Sequence, residues 1–146
     1  MWGVSVLRYV NHRFIGRGVS FQIPDGYFID LVPGIEIDNG VRLSSPDESF
    51  SVELRVEEDC EGAVKELSSV LNDLEPVEIC SVGPIAINEL SGYHATYRCL
   101  RHQYYEAWFD VDETIALSLV VETQGDIMDI DVATIVAVVD PRLEPK

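Results

Sequence analysis

The sequence predicts an α+β domain: an antiparallel β-sheet lying between helices, an α/β/α sandwich. Three observations carry that prediction. Several segments alternate apolar and polar residues, most cleanly Phe50, Val52, Leu54 and Val56 against Ser51, Glu53 and Arg55, the period of a half-buried strand. Another segment switches to spacings of three and four, where Cys60, Ala63, Val64, Leu67, Val70, Leu71 and Leu74 form one helical stripe. Ile115 to Val121 is apolar on both faces, which places it at the centre of a sheet covered from both sides. With 146 residues, the chain is long enough to bury one real core without staples.

The elements follow in order. Residues 1 to 18 alternate roughly at Trp2, Val4, Val6 and Val10 and contain Arg8, Arg13 and Arg17 but no acid, so they read as a basic arm or edge strand. Residues 19 to 146 form the domain proper. Val19, Phe21 and Ile23 make a strand that ends in the turn Pro24-Asp25-Gly26. Tyr27 to Val32 continues apolar up to Pro33-Gly34, and Ile35 and Ile37 alternate ahead of Asn39-Gly40, a two-residue hairpin signal. Val41 and Leu43 resume the pattern before Ser45-Pro46-Asp47. A helix is predicted over Asp59 to Asp73, with Glu57, Glu58, Asp59 and Glu61 near its positive end and Pro76 beyond its last turn. Val77 to Cys80 and Ile85 to Leu90 read as two short strands around Val82-Gly83-Pro84. Asp126 to Val139 reads as a terminal helix with Asp126 and Asp129 in its first turns; its β-branched run also suits a buried strand.

The stretch from Gly92 to Val121 concentrates aromatic and ionisable residues. Matching apolar faces puts Arg101-His102-Gln103 in a loop and pairs Cys99 with Tyr105, Tyr97 with Ala107 and Ala95 with Phe109. The same register sets Arg98 opposite Glu106, His94 opposite Asp110 and Thr96 opposite Trp108. Tyr93, Ala95, Tyr97, Tyr105, Ala107 and Phe109 then belong to the core. His94, Arg98, Tyr104, Glu106 and Trp108 remain as the candidate binding surface.

Charge and chemistry narrow the function. Ten Lys and Arg against 26 Asp and Glu leave −16, which argues against nucleic acid and anionic membrane as partners. No apolar run reaches membrane-spanning length, no secretory signal is recognisable, and the widely spaced Cys60, Cys80 and Cys99 fit reduced thiols in the cytoplasm. No GxSxG, HExxH, GxxxxGK or GxGxxG motif occurs, so no catalytic residue, metal site or cofactor is assigned. Two alternatives remain: a hydrolase or isomerase built on His94 and Asp110 with Tyr104, and a divalent-cation-binding domain built on the acidic surface.

The order of elements is informative as well. Phe21-Gln22-Ile23-Pro24-Asp25-Gly26-Tyr27, then a helix, then Gly92, Ala95 and Tyr97 followed by Tyr105 and Glu106, resembles the PsbP-like superfamily over residues 19 to 140. That superfamily includes the photosystem protein PsbP, the yeast Ran-binding Mog protein and many small bacterial proteins. The resemblance implies the same sandwich and a non-enzymatic role: an adaptor or chaperone-like protein, in a secretion- or immunity-associated variant as well, whose partner is another protein. A homodimer through a sheet edge or the N-terminal arm is compatible with it.

Overall fold

The computed structural model describes residues 7–29 and 40–145. The alternation at Trp2, Val4 and Val6, the strand beyond Ile29, and the Ile35–Asn39 hairpin signal lie outside them. The described elements are β1 (Arg8–Val10), β2 (Arg13–Gly16), β3 (Val19–Phe21), β4 (Phe28–Ile29), β5 (Gly40–Ser44), β6 (Phe50–Glu57), α1 (Ala63–Asp73), β7 (Val77–Ile87), β8 (Leu90–Cys99), β9 (His102–Asp110), β10 (Ala116–Thr123), a 3-10 turn (Ile127–Asp129), α2 (Val132–Val139) and β11 (Arg142–Leu143). The fold is α+β and mostly antiparallel sheet, as the alternation predicts.

A seven-stranded sheet runs β4-β5-β6-β10-β9-β8-β7, and a smaller one runs β1-β2-β3-β11. The doubly apolar β10 sits in the middle of the large sheet, between β6 and β9. One face of that sheet packs Leu43, Val52, Leu54, Val56, Phe109, Leu117, Leu119 and Val121 against Ile135, Val136 and Val139 of α2 and Val19 and Phe21 of β3. The other face receives α1, whose Ala63, Leu67 and Leu71 cover Ala95, Tyr97 and Trp108. At about 25 cal/mol per Å² of apolar surface removed from water, these two interfaces dominate stability.

The basic segment is tied into the small sheet. Arg13 donates to Ser20 Oγ and, at 3.1 Å, to Asp140 Oδ2, and Arg17 lies 2.7 Å from Glu58. Arg13 and Arg17 therefore meet the acidic body of the chain. Asp140 also receives Arg142 at 2.7 Å and Asn88 at 3.0 Å, so one carboxylate ties β2, β11 and the β7–β8 turn together.

Four expectations need correction. The helix predicted from Asp59 begins at Ala63, because Asp59 and Gly62 take positive φ angles of 56° and 119°, which no right-handed helix allows. The predicted terminal helix is divided: Asp126 caps the 3-10 turn by accepting from Met128 N, Ile130 is extended, and Asp131 caps the shorter α2 by accepting from Thr134 N. Asp131 competes for the backbone donors that a continuous helix would use internally. The two short strands around Val82-Gly83-Pro84 are one strand, β7, bulged between Ile79 and Ser81. Proline is tolerated there because β7 is an edge strand, whose outward N–H positions need no ladder partner.

The fourth correction is the β8–β9 register. Cys99 pairs with His102, Tyr97 with Tyr104, Ala95 with Glu106, Thr96 with Tyr105 and Tyr93 with Trp108. The turn is Leu100-Arg101, with Leu100 at φ 59°, and not Arg101-His102-Gln103. Cys99 thus meets a residue three positions before the predicted Tyr105. Because the shift is odd, the Tyr104–Glu106–Trp108 row turns to the same face as Tyr93, Ala95 and Tyr97.

Candidate functional site

The corrected register takes the predicted binding surface apart. Trp108 and Glu106 are only 7% and 5% exposed, under α1. Glu106 accepts from the Tyr97 hydroxyl at 2.8 Å and from Trp108 Nε1 at 2.7 Å, so all three polar groups are satisfied within the core. Burial, with the neighbouring Glu106 carboxyl, pushes the Tyr97 hydroxyl well above the ordinary tyrosine range. Tyr104 stacks on Tyr97 at a centroid distance of 5.0 Å and closes the edge of this cluster. Arg98 points to β7, 3.6 Å from Glu78. His94 lies on the opposite face, stacked on Tyr105 at 5.2 Å, and its Nδ1 is buried without a hydrogen-bond partner. His94, Arg98, Tyr104, Glu106 and Trp108 therefore do not make one exposed surface.

The His94–Asp110 pair is absent as well. His94 faces Ala107, Asp110 faces Ser91, and Asp110 Oδ1 instead accepts from Ala63 N at 2.8 Å. The residue preceding α1, Gly62, has no side-chain cap, so a carboxylate borrowed from β9 supplies it. His102 Nδ1 lies 2.8 Å from Glu122 Oε1, within ion-pair distance, although the atom makes no aligned hydrogen bond. Among the described residues no three His, Cys, Asp or Glu side chains converge as metal ligands would. The thiol of Cys60 is pushed up to about 11 by burial and by the nearby Glu66 and Glu57, which keeps it protonated and unreactive at neutral pH.

A different surface remains. On the α1 side of the large sheet, β7 presents Ile79, Val82, Pro84 and Ala86 in one row, opposite Tyr97, Ala95, Tyr93 and Ser91 of β8. The helix stops short of this row: Ile79 and Val82 are 50% and 54% exposed, and so is Val64 of α1 at 52%. Between α1 and the edge strand lies a groove of about 470 Å³, lined by Val64, Pro84, Ala86, Gly92, Tyr93 and, at one end, Asp110. At the opposite end of the edge, Leu100 is 79% exposed at the β8–β9 turn. A proline within an apolar run is the one sequence signal that could have identified an edge strand here.

No known family model matches this chain, and no curated protein is similar to it. Solved structures are. Cyanobacterial PsbP (CyanoP) from Synechocystis sp. superposes with a TM-score of 0.57 at 13% identity, covering 97% of this chain and 95% of that one. A protein from Bacteroides thetaiotaomicron gives 0.56 at 13% identity, over 92% of this chain and 49% of that one, so this chain spans about half its length. Identity this low speaks for the backbone alone, and function lives in sites rather than folds. Among the described residues no helix is long and apolar enough to cross a membrane. The chain has the PsbP-like fold.

Proposed function

We propose that this domain is a non-enzymatic protein-binding adaptor whose contact surface is the α1–β7 border. One observation carries the reading: apolar side chains stand half-exposed on both sides of that border, Val64 on α1 and Ile79 and Val82 on β7. Covering a half-exposed Val or Ile returns about 1 kcal/mol, and contiguous exposed apolar residues rimmed by charge mark interaction sites. The residues that suggested chemistry are held apart: Asp110 caps a helix start, His94 stacks on Tyr105 and Tyr104 stacks on Tyr97. The three unpaired cysteines support a reducing, cytoplasmic compartment, and the likeness to structures from Synechocystis and Bacteroides is in keeping with a bacterial source. A chaperone-like role in secretion or immunity is a variant of the same reading.

The test is comparative recovery of cross-linked partners from native lysate by the wild-type chain, by Ile79→Asn/Val82→Ser, and by Met128→Ser. Met128 is exposed as well, more so than Ile79 or Val82, but belongs to the 3-10 turn after β10. A species retained by wild type and Met128→Ser and lost by the β7 variant supports the reading. Recovery that ignores the β7 substitutions places the partner elsewhere, and recovery of nothing specific counts against an adaptor.

A further inference from the structure

We propose that the groove between α1 and β7 receives an extended segment of a partner protein that sets an apolar side chain between Val64 and Pro84 and a Lys or Arg side chain onto Asp110. This rests on the protein-binding reading above and adds the chemistry of the partner. The groove is mostly apolar, with Ser91 as its one neutral polar side chain besides the Tyr93 hydroxyl, and Asp110 is the one charged side chain that lines it. Asp110 uses Oδ1 to cap α1, whereas Oδ2 has no hydrogen bond or ion pair among the described residues. A carboxylate offers about four lone-pair positions, so the cap leaves capacity for a cation. Lys65, next to Val64 in sequence, lies 3.4 Å from Glu61, and Arg98 on β8 lies 3.6 Å from Glu78.

The long-range field points the same way. Residues 19 to 146 hold seven Lys and Arg against 26 Asp and Glu, or −19, which draws a basic segment in and speeds its encounter. A second copy of this chain, itself at −16, is repelled. The bulge between Ile79 and Ser81 and the missing N–H of Pro84 interrupt the outer backbone edge of β7. Side chains in the groove, and not an added β-ladder, therefore carry the contact.

The probe is a short synthetic peptide of Ser and Gly bearing Val–Arg pairs, fluorescently labelled and titrated by anisotropy into the full chain. Binding to wild type is expected, falling with added salt. Asp110→Asn keeps the Oδ1 acceptor for Ala63 but removes the charge; it should weaken binding roughly tenfold, the worth of one charge-assisted contact, and flatten the salt dependence. Val64→Ser, in the groove wall, and Val82→Ser, on the β7 row that continues it, should weaken it as well, and Met128→Ser should not. No binding, or equal binding of the matching Val–Glu peptide, overturns the proposal. If Asp110→Asn binds like wild type while Val64→Ser does not, the cation contact fails and the adaptor reading survives. If neither valine substitution alters recovery of a lysate partner, the adaptor reading fails at its source. A concentration-dependent dimer in sedimentation that Val64→Ser abolishes would assign the groove to a second copy and overturn the proposal.

Discussion

On the α2 side of the large sheet, Val52, Leu54, Val56, Phe109, Leu117, Leu119 and Val121 are fully buried and hold no polar side-chain atom. On the α1 side, the same strands and their neighbour β8 present Tyr97, Glu106, Trp108 and Ser118, buried too but polar. The two faces of one sheet are thus stabilised by different physics. The α2 side is set by volume: its side chains interdigitate, and removing one leaves a void. The α1 side is set by pairing. Tyr97 on β8 and Trp108 on β9 both donate to Glu106, so a register slip would strand buried donors as well as move side chains. The difference also extends to coverage. The α2 side shares its load between α2 and the small sheet, while α1 alone covers β8 and β9 and leaves the β7 row open.

The largest expected effect lies on the dry face. Phe109→Ala should cost about 3–5 kcal/mol, transfer plus cavity, read as a lower urea midpoint at unchanged slope. Its cross-strand partner is Gly92, where a Cβ would stand 1.7 Å from the Trp108 carbonyl oxygen. No rotation of a side chain relieves a clash with backbone, so Gly92→Ala must push β8 from β9, at about 3 kcal/mol. A loss below about 1 kcal/mol would mean that the hairpin separates easily and that its tight approach is incidental.

Next comes the polar face. Glu106→Leu removes both acceptors and leaves the Tyr97 hydroxyl and Trp108 indole buried without partners, at about 1–3 kcal/mol per group. Adding Tyr97→Phe deletes one of those orphans and should return about 1 kcal/mol, so the double variant is more stable than Glu106→Leu alone. Simple additivity of the two losses would show that this face, like the other, is governed by volume.

The same contrast explains how much was legible in the residues. On β6, alternation assigned Val52, Leu54 and Val56 to the core because the other row, Ser51, Glu53 and Arg55, faces no helix. On β8 and β9 both faces are buried, by α1 and by the main core, so alternation cannot say which row goes where. The predicted pairing of Arg98 with Glu106 and His94 with Asp110 followed from matching those apolar rows, yet Arg98 finds Glu78 on β7 and Asp110 finds the start of α1. Leu100 at φ 59° hid the turn, since leucine gives no hint of a left-handed conformation. The candidate surface failed with the register that defined it. The β7 border was missed for another reason: Val82-Gly83-Pro84 has the composition of a loop, and its proline marks an edge strand only once the flanking apolar runs are read as one.

The smallest predicted effect concerns the linkage between the two sheets at Asp140. Burial alone would raise its carboxyl, but the hydrogen bonds from Asn88 and Arg142 and the charges of Arg142 and Arg13 hold it below the ordinary 3.8. A carboxyl depressed in the folded state stabilises at pH values above its unfolded value, and that contribution is lost as pH falls through the folded value. Solvent screening limits it to about 1 kcal/mol. Asp140→Asn should therefore lower the melting temperature at neutral pH, and the curves for variant and wild type should converge as the solution is taken below 3.8. Asp47 and Asp131 are depressed as well, but both chains carry them, so their acid dependence cancels in the difference. Added salt at neutral pH should narrow the gap, because arginine contacts supply part of the depression. A gap that stays constant from neutral to acid pH would assign the loss to geometry alone. The Arg13–Asp140 contact would then hold β2 to β11 by shape and hydrogen bonding, and charge would have no part in joining the small sheet to the large one.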